Sequence, residues 1–195
     1  MFTVQGLPPN NGAVFNAVND YSFTDGYVTE PVTLQEFKDW AKLGTGTAED
    51  ALITQLITTS RLMCEQYLNI SLISRTVTAV LNNSCGGIYF PYGPVVSITT
   101  ITDQDSNVLV ANETYQVSGV LFKRLLFPKY NNLTCVYTTG YTTLPVEFKN
   151  AILQQMFYLY NNRGESSHND REGTVTELTI SPMAKTIMKP LRRVG

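Results

Sequence analysis

From residue 71 to residue 140 the chain is a succession of short β-branched and aromatic runs with turns, and no helix-length spacer, between them. The runs are 76–81, 87–90, 95–101, 108–110, 115–117, 120–122 and 133–137. Turn chemistry divides them at Asn82-Asn83, Pro91-Tyr92-Gly93-Pro94, 103–107, Ser118-Gly119 and 128–132. Parallel neighbours need a crossover of about a dozen residues or more. Strands this close together must therefore pair as antiparallel hairpins, which excludes a βαβ architecture for this half of the chain.

Helical signals flank this block. Thr33-Leu34-Gln35-Glu36 matches a capping box, in which the Thr hydroxyl meets the third helical amide and the Glu returns to the cap amide. Leu34, Phe37, Trp40 and Ala41 then share one face, and Gly44 suits the closing turn. Thr47-Ala48-Glu49-Asp50 reads as a second box with Asp in the Glu position. It leads into a stripe of Leu52, Ile53, Leu56, Ile57, Ser60, Met63, Cys64, Tyr67 and Leu68, a helix over 47–68. Leu144-Pro145 restarts helix to about 163, with Phe148, Ala151, Ile152, Gln155, Met156 and Leu159 on its stripe. Ser181-Pro182 caps a short last helix, which Pro190 ends or kinks. The two long helices are expected to pack together. The fold class is α+β: a helical core of two long helices and a short one, antiparallel β-hairpins, and extended N- and C-terminal segments.

Four regions follow. Residues 1–30 form an N-terminal arm with no lasting period, and its aromatics Phe2, Phe15, Tyr21 and Phe23 need a surface to rest on; the arm is either a free tail or is ordered by a neighbouring subunit. Residues 31–163 form the core domain, 164–180 a polar loop, and 181–195 a basic helical tail. In that tail Met183, Ile187 and Leu191 stand four apart, an apolar stripe too small to fold alone, among Lys185, Lys189, Arg192 and Arg193. The plain reading is a solvated helix end; the functional one is a helix-in-groove anchor with cationic rim contacts. Nucleic-acid contact is the weakest option, because these charges lack interleaved aromatics.

Charge narrows the function further. Charged residues are 15% of the chain and hydrophobics 43%, with a net charge of −2. That balance excludes intrinsic disorder, and a pI near 5.4 argues against a free nucleic-acid binder. A surface made polar by Thr, Asn, Ser and Tyr suits repeated protein–protein contact. No apolar run approaches a membrane span, and the opening MFTVQGLPPNNG lacks the cationic start and apolar core of a secretion signal. Cys64, Cys85 and Cys135 form no C-x-x-C pair, so a reducing compartment is expected and Cys64 and Cys135 read as buried hydrophobes.

Catalytic and metal chemistry is not indicated. His168 sits in Ser166-Ser167-His168-Asn169-Asp170, but neighbours on one loop cannot hold triad geometry. One His and scattered Cys do not supply a zinc site. Gly44-Thr45-Gly46-Thr47 lacks the lysine of a phosphate loop and reads as a helix–helix turn. Asp103 and Asp105 could hold a cation weakly, though turns use Asp for their own amides. No catalytic residue, cofactor or metal is assigned, and an enzyme is not expected.

The order of motifs resembles the head–tail connector (adaptor) proteins of long-tailed bacteriophages. The segments that carry the resemblance are 31–38 with Glu49-Asp50 opening a long helix, Phe90-Pro91-Tyr92-Gly93-Pro94-Val95-Val96-Ser97-Ile98, and Tyr137-Thr138-Thr139-Gly140-Tyr141-Thr142-Thr143-Leu144-Pro145. Ala151-Ile152 with Tyr160-Asn161-Asn162-Arg163 adds to them. The resemblance spans about 31–163, and 181–193 resembles the family's C-terminal tail. It implies a structural virion protein of the neck, assembled in the bacterial host cytoplasm as a ring, typically of twelve copies, under the portal. Its partners would be further copies of itself, the portal protein, and a stopper or tail-completion protein, with double-stranded DNA passing through unread. Portal docking would fall to Met183, Lys185, Ile187, Leu191, Arg192 and Arg193. A stopper or tail-completion protein, or a non-viral soluble binding module, is the alternative.

Overall fold

The computed structural model describes residues 18–24, 29–82, 88–120, 122–126, 132–162 and 180–192. The chain is α+β, and its described residues fall into two compact units, one of helices (29–72 and 143–194) and one of sheet (1–28 and 73–142).

The helical unit begins at the predicted box. Thr33 Oγ1 accepts the Glu36 amide at 3.2 Å, and the Thr33 amide donates to Glu36 Oε2 at 2.8 Å. From this cap α1 runs Leu34–Ala41 and buries Phe37 completely. The second box does not form. Helix α2, Asp50–Leu68, starts at Glu49 with no side-chain cap. Asp50 is committed elsewhere, in an ion pair with Lys38, whose ammonium also donates to the Gly46 carbonyl at 2.7 Å. Residues 43–47 are thus the helix–helix turn, held by a lysine on α1. Pro145 occupies the N-cap of α3, Val146–Asn161, one position before the expected one, and its carbonyl accepts the Phe148 and Lys149 amides. Helix α3 packs against α2, as expected from their stripes, and against α4, Pro182–Met188. Pro190 does end α4, converting its last turn to a 3-10 turn at Lys189–Leu191.

One ionic network fastens the two ends of segment 29–72. Arg61, on α2, forks onto Glu30, with Nε and an Nη donating at 2.7 and 3.0 Å, while its other Nη donates to Glu65 Oε2 at 2.9 Å. Glu65 Oε1 accepts the Leu72 amide at 2.8 Å, and Thr58 donates to Glu30 at 2.9 Å. Arg61 and Glu65 are 4% and 2% exposed. Burial alone would lower the affinity of Arg61 for its proton, but the Glu30 hydrogen bond and the Glu65 charge outweigh it and raise the pKa.

The strands of the sheet unit pair antiparallel, as expected: β1 Val18–Phe23, β2 Arg75–Asn82, β3 Ile88–Tyr89, β4 Val95–Thr102, β5 Gln116–Ser118, β6 Arg124–Leu126 and β7 Asn132–Thr139, of which β1 and β6 lie outside the predicted runs. They form one sheet in the order β1-β2-β7-β4 and another in the order β3-β6-β5. Inward side chains of the first (Val77, Ala79, Leu81, Leu133, Cys135 and Tyr137) share a buried cluster with Ile88 and Leu125 of the second. Three expectations shift. Val120 and Phe122 lie outside any strand, and after Gly119, at φ +95°, pairing resumes at Arg124. Residues 108–110 contribute one bridge, Thr102 to Val108. Residues 18–23, assigned by sequence to the arm, pair with β2 in the chain's own sheet.

Two of the motifs behind the resemblance prove to be halves of one lock. Carbonyls of the Pro91–Pro94 turn accept from the end of β7: Tyr137 Oη donates to Pro91 at 2.6 Å, Thr139 Oγ1 to Tyr92 and to Pro94, and the Gly140 amide to Pro94 at 2.9 Å. Gly140, at φ +93°, admits no side chain: an added Cβ would stand 1.8 Å from the Ile73 carbonyl oxygen.

Candidate partner-binding surface

The C-terminal helix docks on its own domain, but not through the stripe that its sequence advertises. Ser181 caps it twice over: Oγ accepts the Ala184 amide at 3.1 Å, and the Ser181 amide donates to Gln155 Oε1 at 2.7 Å. Gln155, on α3, is fully buried, and its amide nitrogen points to Met63 Sδ at 3.5 Å. Ala184 and Met188, one turn apart, are the residues that bury. This leaves Met183 57% and Leu191 38% exposed, with Ile187 half-buried beside them.

Lys185, Lys189 and Arg192 stand exposed along the same helix and its 3-10 extension. Arg192 is anchored, its guanidinium 5.0 Å from the centre of the Tyr67 ring of α2, a cation–π distance. Arg193 lies outside the described residues. Met183, Lys185, Leu191 and Arg192 are thus exposed and Ile187 half-buried on this helix and its extension, but Lys185, two residues from both Met183 and Ile187, projects from the side of the helix away from them. Sequence reasoning placed Gln155 on the α3 stripe and missed its role as the peg that fixes α4. A buried amide on an apolar stripe was the signal, since it must find partners there.

Of the arm aromatics, Phe2 and Phe15 lie outside the described residues. Tyr21 and Phe23 rest on their own sheet unit. Tyr92 Oη donates to Tyr21 Oη at 2.8 Å, both rings lie within 5.4 Å of the Tyr92 ring, and the Arg75 guanidinium sits 3.8 Å over Phe23.

The remaining chemical candidates resolve as structural where they are described. Asp103 Oδ1 accepts the amides of Asp105 and Asn107, both at 2.9 Å, and Oδ2 accepts the Asn107 side-chain amide at 3.0 Å. That side-chain bond first, then the amide bonds, hold its carboxyl below the usual range. Burial pushes the Cys64 and Cys135 thiols up to about 12, so both are protonated. His168 and Cys85 lie outside the described residues. Among the described residues no three His, Cys, Asp or Glu side chains are grouped to hold a metal, and no helix is long and apolar enough to cross a membrane.

The fold has solved counterparts. A chain in the neck of an empty gene transfer agent (GTA) particle, computed with C6 symmetry, superposes with a TM-score of 0.69 at 19% identity, over 90% of this chain and 96% of that one. A chain of the native GTA virion gives 0.66 at 18% identity, over 90% and 96%. One from the native GTA neck computed with C12 symmetry gives 0.60 at 15%, over 87% and 97%. No curated protein matches the chain at a significant level. The family model described as "Head completion protein" matches residues 30–194, from the Glu30 anchor through α4 and its cationic extension. A match of that extent shows the chain to be a member of the head completion protein family.

Proposed function

We propose that this protein is a head–tail connector in the neck of a phage-like particle. Its copies close into a ring between portal and tail, and the C-terminal helix seats on the portal protein. Double-stranded DNA passes through the ring without sequence-specific contact. The family membership supports the connector role, and the symmetric necks that share this fold support a ring, twelve copies being the number suggested by the C12 neck.

The observation that carries the portal-docking reading is the division of labour on α4. Ala184 and Met188 are buried against the chain's own helices, while Met183 and Leu191 are left exposed and Ile187 half-buried on a segment that also carries Lys185, Lys189 and Arg192. An i, i+4 apolar pair such as Met183 and Ile187 is part of the anchor pattern of a helix-in-groove contact, and Leu191 would extend it from the 3-10 turn. The three cations make association weaken with salt. Single-sited cations on one end, without a basic stripe elsewhere in a chain of net charge −2, suit a protein partner better than DNA.

The test is a double substitution, Met183→Asp with Leu191→Asp, which changes only outward side chains and leaves Ser181, Gln155, Ala184 and Met188 intact. Stability should stay within about 1 kcal/mol of the parent, as for surface changes. Co-sedimentation with the cognate portal should be lost. A double variant that sediments with the portal as the parent does would overturn the assignment of α4 as the anchor.

A further inference from the structure

Both lateral edges of the four-stranded sheet are guarded against strand addition. At β1, Asp20 Oδ1 takes the Tyr21 amide at 2.8 Å, and the pairing slips between Val18 and Asp20. At β4 the register slips between Val95 and Ser97 and again between Ile98 and Thr100. Lys123 donates to the Val96 carbonyl at 3.2 Å, and the Ile101 carbonyl accepts the Leu109 amide at 2.8 Å. Bulges and lysines on an edge are devices that stop one sheet from extending another.

The broad face opposite the core carries no such guard. Its central positions are Thr76, Thr78 and Val80 of β2 and Thr134, Val136 and Thr138 of β7, all half-buried, and none belongs to the buried cluster. The row Ser22–Thr78–Val136–Thr100 crosses all four strands in register. Among the described outward positions the one ionisable group is Asp20, at the rim. Solvent-facing strand positions ordinarily mix charged with uncharged residues; here the centre of the face is Thr and Val, without charge.

We infer that this face is a contact between copies of this chain, packed against the neighbouring copy in the assembled ring. The inference rests on the connector reading above. Three strands of eight residues and one of six, about 4.8 Å apart with about 3.4 Å per residue, present roughly 500 Å² in projection, a large share of the roughly 800 Å² that each partner gives to a standard interface. Charge selects the occupant. DNA would need cations, and the only charge here is the Asp20 carboxylate. A strongly charged protein would leave its charges desolvated and unpaired. A second copy, with only 15% charged residues, supplies an uncharged counterpart.

The experiment places p-benzoylphenylalanine at Thr78 and irradiates the full chain, alone at high concentration and assembled on its cognate portal. An adduct of twice the chain mass is expected. Adducts only to the portal, or no adduct of two chains in either sample, would overturn the inference. In a second variant, Val136→Lys, the melting temperature should stay within a few degrees, while the concentration needed for assembly rises about tenfold, equivalent to roughly 1.4 kcal/mol. Assembly of Val136→Lys at the parent's concentration would also overturn it. Failure of the unmodified chain to join the portal would instead refute the connector reading, and a two-chain adduct from the chain alone would still support the face.

Discussion

Removing the Arg61 guanidinium should be among the costliest single changes in the helical unit. Arg61→Met deletes two hydrogen bonds to Glu30 and one to Glu65. It leaves Glu65, 2% exposed, with its Leu72 amide contact but without the Arg61 guanidinium. Breaking one side of a buried pair costs about 3–5 kcal/mol, most of it from the charge left behind. Glu30, whose side chain is 23% exposed, can rehydrate, so the lower end of that range is expected. At about 2–4 °C per kcal/mol for a chain of this size, the midpoint should fall by roughly 6–12 °C. The companion variant is Arg61→Met with Glu65→Gln. Gln retains an oxygen for the Leu72 amide but carries no charge, so the double variant should recover at least about 1 kcal/mol relative to Arg61→Met alone. Urea unfolding followed by circular dichroism reads both. A loss below about 1 kcal/mol for the single variant, or no recovery in the double, would refute the argument that buried charge is what the network manages.

Other outcomes follow from the same geometry. Gly140→Ala must drive its Cβ against the Ile73 carbonyl and hold a positive φ, so a loss of at least about 3 kcal/mol, or failure to fold, is expected in thermal melts. Gln155→Leu strands the Ser181 amide, at a cost of about 1–3 kcal/mol, and should speed hydrogen exchange across α4 before the rest of the chain. The Lys149 hydrogen bond, first, and the Thr33 amide hold the Glu36 carboxyl below its ordinary value of 4.5. The folded-state pKa is depressed, so this stabilisation is complete above 4.5 and is lost as pH falls through the lower folded value. Lys149→Met should flatten the acid limb of the stability–pH curve, with little change in its slope above pH 6. Iodoacetamide at pH 8 should leave Cys64 and Cys135 unlabelled in the native chain and label both in urea, as peptide mass mapping would show.

What was legible in the sequence was mostly backbone chemistry with a local cause. The Thr33–Glu36 box forms as written because both of its bonds lie within one turn. The Pro91–Pro94 and Gly140 motifs could be recognised separately, yet that they lock together depends on the pairing of β4 with β7, which no local pattern encodes. The Thr47–Asp50 box failed because Lys38, twelve residues upstream of Asp50, captures its carboxylate. β1 was overlooked because its alternation is brief, Tyr21 and Phe23 in with Ser22 out, and a register slip interrupts it before Asp20. The face of α4 was legible only as a choice. Met183-Ile187-Leu191 and Ala184-Met188 are stripes one residue apart, and the position of Gln155 on another helix decides which one buries.

The central claim is that this chain joins a portal ring as a multi-copy connector, and native mass spectrometry of the full chain mixed with its cognate portal tests it most directly. The expected spectrum shows a complex whose mass corresponds to the portal ring plus a full complement of chains, dispersing when Met183 and Leu191 are both changed to Asp. A chain that stays monomeric and leaves the portal mass unchanged would contradict it.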